Sequence, residues 1–408
     1  MRLHPSGLSV RFGLPAALVG AVLVFSIMQT NHFVLFGSPV GYGYGTGSSQ
    51  PFISSISPTN GAPAGGQTVT ITGGNFTIPV TVKFGNTAGV VTNTTPTSAT
   101  VTTPAHAEGI VDVIVTNTGG SFWQKTNAYA YMNGAYTLDA FGGVHADGAS
   151  PAKNSGPYFA SKLARAMVLL PGGGGGFVLD GWGGIHPWGT GSISPVQPGG
   201  SAYFQGFDIA RDIVLTSTST AAASSGYTLD GWGGIHPFGG APAIAAGAPY
   251  FQGFDIAKKI VLFPDGKGGY LLDGWGGIHP FATGSNAKPA AMVGFGYFQG
   301  FNIARDFQLI PGSTESSAQG FTLDGYGGLH PTSTAGTVKP ITPTDRPYFP
   351  GFDIARAVRF APGSTTAAFQ QGYILDGWGG VHEVNDAPPP APFAYFAGQD
   401  IARALDLN

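Results

Sequence analysis

The phrase LDGWGGIHP occurs three times in the chain, at residues 179–187, 229–237 and 272–280. Near copies occur at 138–146, 323–331 and 375–383. The six copies divide residues 133–408 into units that average about 46 residues. A fixed internal period constrains the fold more than any local pattern, because each unit must bury its apolar surface against its neighbours.

Each repeat has the pattern of consecutive hairpins. Residues 260–281 read IVLFPDGKGGYLLDGWGGIHPF, in which apolar runs alternate with glycine-rich turns. The segment FDIARDIV (207–214) also fits helical spacing, but its direct entry into hairpin turns favours a strand. A period of about 46 residues is typical of a β-propeller blade, whereas ankyrin and tetratricopeptide repeats have about 33–34 residues.

The two ends of the repeat region complement each other. The first repeat starts at the Tyr136 strand without an Ala-Arg strand before it, and IARALDLN (401–408) has no hairpin after it. We therefore expect the C-terminal strand to complete the first blade and close a six-bladed β-propeller over residues 133–408, which removes exposed sheet edges. The repeats also resemble those of bacterial exported β-propellers with DGKGGYxLDGxGGIHxFG units, a resemblance in repeat style that implies no activity.

Residues 51–132 have a different pattern. Strand-like alternation in QTVTITG, PVTVKFG, SATVTTP and VDVIVTN predicts a β-sandwich. The segment resembles the IPT/TIG family of immunoglobulin-like domains through I-x-x-I-x-P-x-x-G at 53–61, G-G-x-T-V-T-I-x-G-x-x-F at 65–76 and V-x-F-G at 82–85. The resemblance implies a compact domain common in extracellular proteins, which serves as a spacer or binds partners. No residue here marks a site, which favours the spacer.

The N-terminal residues 1–36 predict a signal peptide or transmembrane anchor. Arg2 and Arg11 precede an apolar run, and no Asp, Glu, Lys or Arg occurs between Arg11 and Lys83. The run is long enough to span a bilayer and no clean A-x-A site follows it, which favours an uncleaved anchor with the basic end in the cytoplasm. A cleaved signal peptide and a buried helix are the alternatives. Residues 37–50 form a Gly/Ser/Tyr linker.

Two motifs in each repeat carry polar residues at fixed positions. The first has the form Leu-Asp-x-aromatic-Gly-Gly-x-His, with Asp139, Asp180, Asp230, Asp273, Asp324 and Asp376 followed by His145, His186, His236, His279, His330 and His382. The second is Tyr-Phe followed by Ala-Arg or Ala-Lys, and its basic residues are Arg165, Arg211, Lys258, Arg305, Arg356 and Arg403.

A catalytic site needs one constellation rather than six equal ones. We therefore expect the repeated Asp, His and Arg residues to form a structural hydrogen-bonded set inside or between blades, since buried charges must be paired. The alternative is a central ring of six His or six Asp residues that binds an ion. Because six identical ligands suit few metals, the structural interpretation is favoured and we expect no metal site.

The aromatic residue at the centre of each first motif has two interpretations. These residues are Phe141, Trp182, Trp232, Trp275, Tyr326 and Trp378. Large aromatic side chains usually bury area, which predicts packing between blades. The second interpretation is a ring of stacking platforms for sugars, one in each blade, because repeated weak sites gain affinity through multivalency.

Composition excludes several functional classes. The chain has no cysteine, a net charge of −3 and no basic cluster in sequence, so thiolate chemistry and nucleic-acid binding are not expected. No motif for a catalytic nucleophile, cofactor or phosphate is present, and we expect no cofactor. The acidic residues outside the repeat motifs are scattered over different repeats: Asp147, Asp265, Glu315, Asp345, Glu383 and Asp386.

These observations predict an all-β, exported protein, membrane-anchored or secreted. An immunoglobulin-like spacer carries a propeller that binds a glycan or a protein outside the cell or acts as a scaffold. The alternatives are an extracellular propeller enzyme, such as a lyase or a glycoside hydrolase, and a structural component of a wall or appendage.

Overall fold

The computed structural model describes residues 50–408 apart from 108, 133, 148–149, 246, 295, 338–339, 341, 362–370, 386, 388–392 and 408. The regular structure of the described residues is entirely β, with 29 strands, so the prediction of an all-β chain is confirmed. In this part of the chain no helix is long and apolar enough to cross a membrane. The predicted anchor or signal (1–36) and residues 37–49 of the predicted linker lie outside the described residues.

The first nine strands form two sheets around a shared apolar core. They are β1 (Phe52–Ser57), β2 (Asn60–Gly61), β3 (Thr68–Gly74), β4 (Thr81–Phe84), β5 (Thr87–Ala88), β6 (Val90–Thr95), β7 (Ser98–Thr102), β8 (Gly109–Thr116) and β9 (Phe122–Tyr131). One sheet has the order β1-β3-β7-β6 and the other β2-β9-β8-β4-β5. Val69 and Ile71 of β3 are buried while Thr68, Thr70 and Thr72 are exposed, which is the alternation expected of a sandwich strand.

The remaining twenty strands form six antiparallel sheets. They are β10 (Ala135–Asp139), β11 (Val144–Asp147), β12 (Lys153–Ser155), β13 (Ala164–Leu169), β14 (Gly175–Asp180), β15 (Ile185–Thr190), β16 (Ala210–Leu215), β17 (Gly226–Asp230), β18 (Ile235–Phe238), β19 (Ala257–Leu262), β20 (Gly268–Asp273), β21 (Ile278–Ala282), β22 (Met292–Val293), β23 (Ala304–Leu309), β24 (Gln319–Asp324), β25 (Leu329–Thr334), β26 (Ala355–Phe360), β27 (Gly372–Asp376), β28 (Val381–Val384) and β29 (Ala402–Leu407).

The six sheets share one plan. The strand that begins with Ala-Arg or Ala-Lys pairs with a middle strand that ends in the motif Asp, and the middle strand pairs with the strand that carries the His. The sheets are β29-β10-β11, β13-β14-β15-β12, β16-β17-β18, β19-β20-β21, β23-β24-β25-β22 and β26-β27-β28. The ambiguous segment FDIARDIV therefore enters strand β16 at Ala210, and residues 207–209 have no regular structure.

The sheet of β10 takes its Ala-Arg strand from the C-terminal end of the chain. Strand β29 pairs antiparallel with β10, with Ala135 opposite Leu407 and Thr137 opposite Leu405. We call the six Ala-Arg/Lys strands the inner strands. In the order β13, β16, β19, β23, β26 and β29 each inner strand contacts the next, and β29 also contacts β13.

The space between neighbouring sheets is filled by apolar side chains. Leu179 and Ile185 of one sheet, for example, share a buried cluster with Ile213 and Phe238 of the next. The middle strands are buried along their whole length because a neighbouring sheet covers each face. The sandwich joins this core through Met132, which packs with Tyr373 and Leu405 of the repeat region.

Candidate functional site

The Asp of the first motif organises a tight turn, which we call the DGxGG turn (Asp180–Gly184 in the second repeat). Oδ1 of Asp180 accepts hydrogen bonds from the backbone N–H groups of Trp182 (2.8 Å) and Gly184 (2.9 Å). Its Oδ2 lies 2.8 Å from Nε2 of His186. Gly183 has φ of +90°, a left-handed conformation that favours glycine. One carboxylate thus fixes the turn and orients the histidine.

All six copies of this turn have the same geometry. The Asp–His distances are 2.7–2.8 Å, and the Asp side chains are nearly buried while the His rings are about one-third exposed. Burial acts to raise the pKa of Asp139, but hydrogen bonds from His145 and from two backbone amides outweigh it, so this pKa lies below its ordinary value. The pKa of Asp324 is lowered by the same balance.

Each of these histidines also contacts the phenylalanine of a Tyr-Phe motif from the neighbouring repeat. Phe204 meets His236 edge to face, with 5.4 Å between ring centroids. Phe396 meets His145 in the same way at 5.3 Å, which brings the last repeat against the first. The histidines therefore connect neighbouring sheets through ring contacts.

The basic residue of each inner strand sits at a β-bulge. In β16, Ala210 lies opposite Asp230 and Asp212 opposite Leu229, so Arg211 has no partner on the middle strand. A bulge of this kind re-aims a side chain. The same irregularity occurs at the other five basic residues, Arg165, Lys258, Arg305, Arg356 and Arg403.

Four of the arginines bind a carboxylate from the following repeat. This Asp lies in the segment that runs from the Tyr-Phe pair to the inner strand, which we call the Tyr-Phe loop (203–209 in the second repeat). The Nε–Oδ1 distances are 2.9–3.2 Å, and Nη2 meets Oδ2 of the same carboxylate, for the pairs Arg165–Asp208, Arg211–Asp255, Arg305–Asp353 and Arg356–Asp400.

The hydrogen bonds of the repeated Asp, His and Arg residues are therefore of two kinds. The structure separates an Asp–His pair within each turn from an Arg–Asp pair between repeats. The separation arises because the bulge directs Arg211 towards the loop of the next repeat, whereas Asp230 is saturated by its own turn and by His236.

All six basic residues line one cavity of about 80 Å³ between the inner strands, which we call the basic cavity. The cavity wall also includes Asp212, Lys259, Asp306 and Arg359. Lys259 lies 3.1 Å from Asp212, and Arg359 lies 2.7 Å from Asp306 and 3.3 Å from Asp406. The structure does not form the alternative ion site, a central ring of six His or six Asp residues. The six repeated residues that line the cavity are Arg and Lys, and each motif histidine binds the Asp of its own turn. Within the described part of the chain, no group of three or more His, Asp or Glu residues could hold a metal ion.

The aromatic residues of the DGxGG turns are half-buried. They are therefore neither fully buried, as packing between blades predicts, nor fully exposed, as sugar platforms would be. Trp232 contacts Phe207 edge to face, and Trp275 meets both Phe254 and Tyr297. Part of each ring packs against the neighbouring Tyr-Phe loop and part remains accessible to solvent.

A set of exposed aromatic side chains was not singled out by the sequence reasoning. We call it the aromatic belt; its side chains are 50–76 % exposed and comprise Tyr158, Tyr203, Tyr250, Tyr297, Tyr348 and Tyr395 with Phe207, Phe254, Phe301 and Phe352. The available signal was their recurrence just before Ala-Arg or Ala-Lys: five of the six tyrosines stand seven residues before the Ala in a glycine-containing loop, and Tyr158 stands six residues before it. Belt and basic cavity lie at the same end of the sheets, because each Tyr-Phe loop runs directly into its inner strand.

The belt forms one distinct pocket near the last repeat. Its volume is about 440 Å³, and its wall includes Tyr348, Phe352, Trp378 and Tyr395.

The acidic residues outside the repeat motifs are scattered along the chain. Asp147 lines a separate cavity of about 450 Å³ together with Lys153, and Asp265 pairs with Lys267. Asp386 lies outside the described residues.

Comparison with known families assigns the sandwich. Residues 51–131 match the IPT/TIG domain. The predicted resemblance over residues 51–132 is thereby confirmed for the IPT/TIG domain, which contains strands β1–β9. No curated protein matches the sequence.

Several solved structures align with most of the chain at low similarity. Two are described as auxiliary nutrient binding proteins, from Bacteroides thetaiotaomicron VPI-5482 (10 % identity, 82 % of this chain and 97 % of that one, TM-score 0.31) and Bacteroides ovatus ATCC 8483 (12 %, 84 % and 99 %, TM-score 0.31). A third is a candidate phosphatase from Bacteroides thetaiotaomicron VPI-5482 (13 %, 83 % and 97 %, TM-score 0.27). Similarity at this level carries no information about a ligand or an activity of this chain.

Proposed function

We propose that residues 133–408 form a six-bladed β-propeller closed by β29, and that the IPT/TIG domain is its spacer. Three observations support the closure: β29 pairs with β10, β29 contacts both β26 and β13, and Phe396 packs on His145. The charged n-region and apolar run of residues 1–36 support export to the cell surface, by an anchor or a cleaved signal.

The propeller is a binding module whose ligand is a polysaccharide outside the cell. The aromatic belt carries this proposal, because ten aromatic side chains at least half exposed at equivalent positions are an unusual apolar surface for a soluble fold. The C–H faces of sugar rings stack on aromatic rings, and Tyr keeps a hydroxyl for hydrogen bonds to sugar hydroxyls. One platform in each blade lets a repeating polymer bind at several points, so weak contacts add up.

The experiment measures binding of the full-length protein to a panel of soluble polysaccharides by affinity electrophoresis and calorimetry. Tyr395→Ala and Phe352→Ala remove exposed rings from the wall of the 440 Å³ pocket. We expect each to weaken binding about tenfold, or about 1.4 kcal/mol. The free energy of unfolding should change by no more than about 0.5 kcal/mol, because these side chains bury little area.

Phe122→Ala is the matched control, since Phe122 is an equally exposed aromatic residue on the IPT/TIG domain. Unchanged binding in both belt variants would refute the belt as the binding surface, as would a panel in which no polysaccharide binds. Trp232→Ala separates the two interpretations of the half-buried ring: lost stability with unchanged binding assigns it to packing, and weakened binding assigns it to the platform.

A further inference from the structure

Of the six Arg and Lys residues that follow Ala at the start of the inner strands, two lack the carboxylate partner from the following repeat that the other four have. In the second repeat the pairing position of the Tyr-Phe loop carries Asp208. The equivalent residue is Asn302 in the loop opposite Lys258, and it is Lys162 in the loop opposite Arg403. Among the described residues, Nζ of Lys258 has no hydrogen bond or ion pair, and Arg403 contacts only its own Asp400 and nearby backbone carbonyls.

Asn302 occupies the same place as the carboxylates it replaces. A Cβ placed on Gly181 would overlap the Asp208 carboxylate, and one placed on Gly274 would overlap the Asn302 amide. The loop geometry is therefore kept and only the charge is missing. In the first repeat the residue equivalent to Gly181 is Ala140, and Lys162, which replaces the loop carboxylate, is exposed.

Because two carboxylates are missing, the end of the cavity that faces the Tyr-Phe loops is positively charged. Six cations and four carboxylates leave two positive charges there. The residues further along the inner strands carry no positive excess, because they include three carboxylates, Asp212, Asp306 and Asp406, for the two cations Lys259 and Arg359. The excess is therefore confined to the end that faces the Tyr-Phe loops.

Lys258 and Arg403, the two cations without a carboxylate from the following repeat, lie on opposite sides of the cavity. Lys258 is the second residue of β19 and Arg403 is the second residue of β29. These inner strands are three steps apart in either direction along the order of contacts. Burial lowers the pKa of Lys258, and Arg305 and Arg211 lower it further against the opposing effect of Asp255. Burial also lowers the pKa of Arg403, and Arg356 and Arg165 lower it further against the opposing effect of Asp400. Each cation would gain free energy from a nearby anion.

We propose that the basic cavity is an oxyanion site in which Lys258 and Arg403 hold a carboxylate or sulfate group. A cavity of about 80 Å³ has the volume of two or three water molecules at about 30 Å³ each, which suits one such group and excludes a sugar ring. Charge-assisted hydrogen bonds are strong at a site sheltered from water. This inference rests on the proposed function in one respect: if the belt binds a polysaccharide, that polymer is acidic and inserts its charged substituent here.

The first experiment titrates sulfate into the full-length protein by calorimetry, with sodium chloride holding the ionic strength constant. We expect saturable binding that weakens at least tenfold in Lys258→Gln and in Arg403→Gln. Lys267→Gln is the matched control, because Lys267 is exposed and pairs with Asp265 outside the cavity. Sulfate also stabilises proteins by exclusion from their surface, so only a saturable effect that the variants abolish counts as binding.

Asn302→Asp is the decisive variant because it leaves every cation in place. It supplies Lys258 with the carboxylate that four other repeats already have, so sulfate binding should weaken while the melting temperature stays equal or rises. Binding that is unchanged in all three cavity variants, or that is not saturable, overturns the oxyanion site.

The second experiment separates this inference from the proposed function by comparing polygalacturonate with neutral dextran. Tighter binding of polygalacturonate that Lys258→Gln abolishes supports both. Equal binding of the two polymers with no effect of Lys258→Gln overturns the oxyanion site and leaves the belt as a binding surface. Sulfate binding that the variants abolish, without binding of any polymer, overturns the proposed function and leaves the oxyanion site.

Discussion

At the scale of single residues, Asp147 shows how burial changes the chemistry of one carboxyl. It is 2 % exposed, it accepts a hydrogen bond from Oγ1 of Thr137 at 2.8 Å, and the backbone N–H of Ala394 donates to it at 3.2 Å. Burial nevertheless dominates and raises the pKa of Asp147 to about 6 from 3.8. Between these two values the folded protein binds more protons than the unfolded chain.

The free energy of unfolding is therefore expected to fall as pH rises from about 4 to about 6 through this group. One pKa unit corresponds to about 1.4 kcal/mol. Asp147→Asn has no titrating group at this position, so its stability should change less with pH over that interval and should exceed that of the wild type at pH 7. Chemical denaturation at pH 4, 5, 6 and 7 measures both. Parallel stability profiles for the two proteins would contradict a raised pKa at Asp147.

At the scale of one element, the DGxGG turn depends on a single carboxylate. Asp230 accepts bonds from the amides of Trp232 and Gly234 and from His236. Asp230→Ala leaves buried donors without an acceptor and should cost about 2–4 kcal/mol of unfolding free energy. Asp230→Asn keeps one acceptor oxygen for both amides and should cost less than half as much. Equal losses in the two variants, measured by urea unfolding, would assign the effect to charge rather than to the turn.

The same element explains which parts of the site could be predicted from sequence. Asp and His of one turn are six residues apart, and the glycines between them imply a tight turn, so their pairing follows from local spacing. Arg211 and Asp255 are 44 residues apart, and their pairing depends on which repeat lies beside which. Tyr203 and Phe204 are adjacent in sequence, but Tyr203 is exposed while Phe204 packs on His236. Sequence spacing does not encode that difference.

At the scale of the whole molecule, the period predicted six equivalent sheets, and the sandwich pattern predicted the domain before them. The equivalence of the repeats hid the difference in charge on which the proposed oxyanion site rests. Asn302 and Lys162 look like tolerated variation in a repeat, and their meaning depends on the four Arg–Asp pairs formed by the other repeats. The proposed charge excess at the basic cavity is thus a property of the set of repeats rather than of any one of them.

Strand β29 joins the two ends of the repeat region. Deletion of residues 401–408 removes β29, and with it the buried side chains of Ala402 and Leu405 and the pairing partner of β10. Strand β10 then has an unpaired edge, which invites association with another chain. We expect the free energy of unfolding to fall by more than about 4 kcal/mol and dimers or larger species to appear in light scattering.

A synthetic peptide of sequence IARALDL, added in excess, should restore the monomer and raise the melting temperature by adding a strand to the open edge. A peptide of the same composition in scrambled order is the control, because it lacks the alternation that places Leu405 in the core. A truncated protein that stays monomeric and melts like the intact chain would show that β29 does not hold the repeat region together, and the proposed closure of the propeller would have to be abandoned.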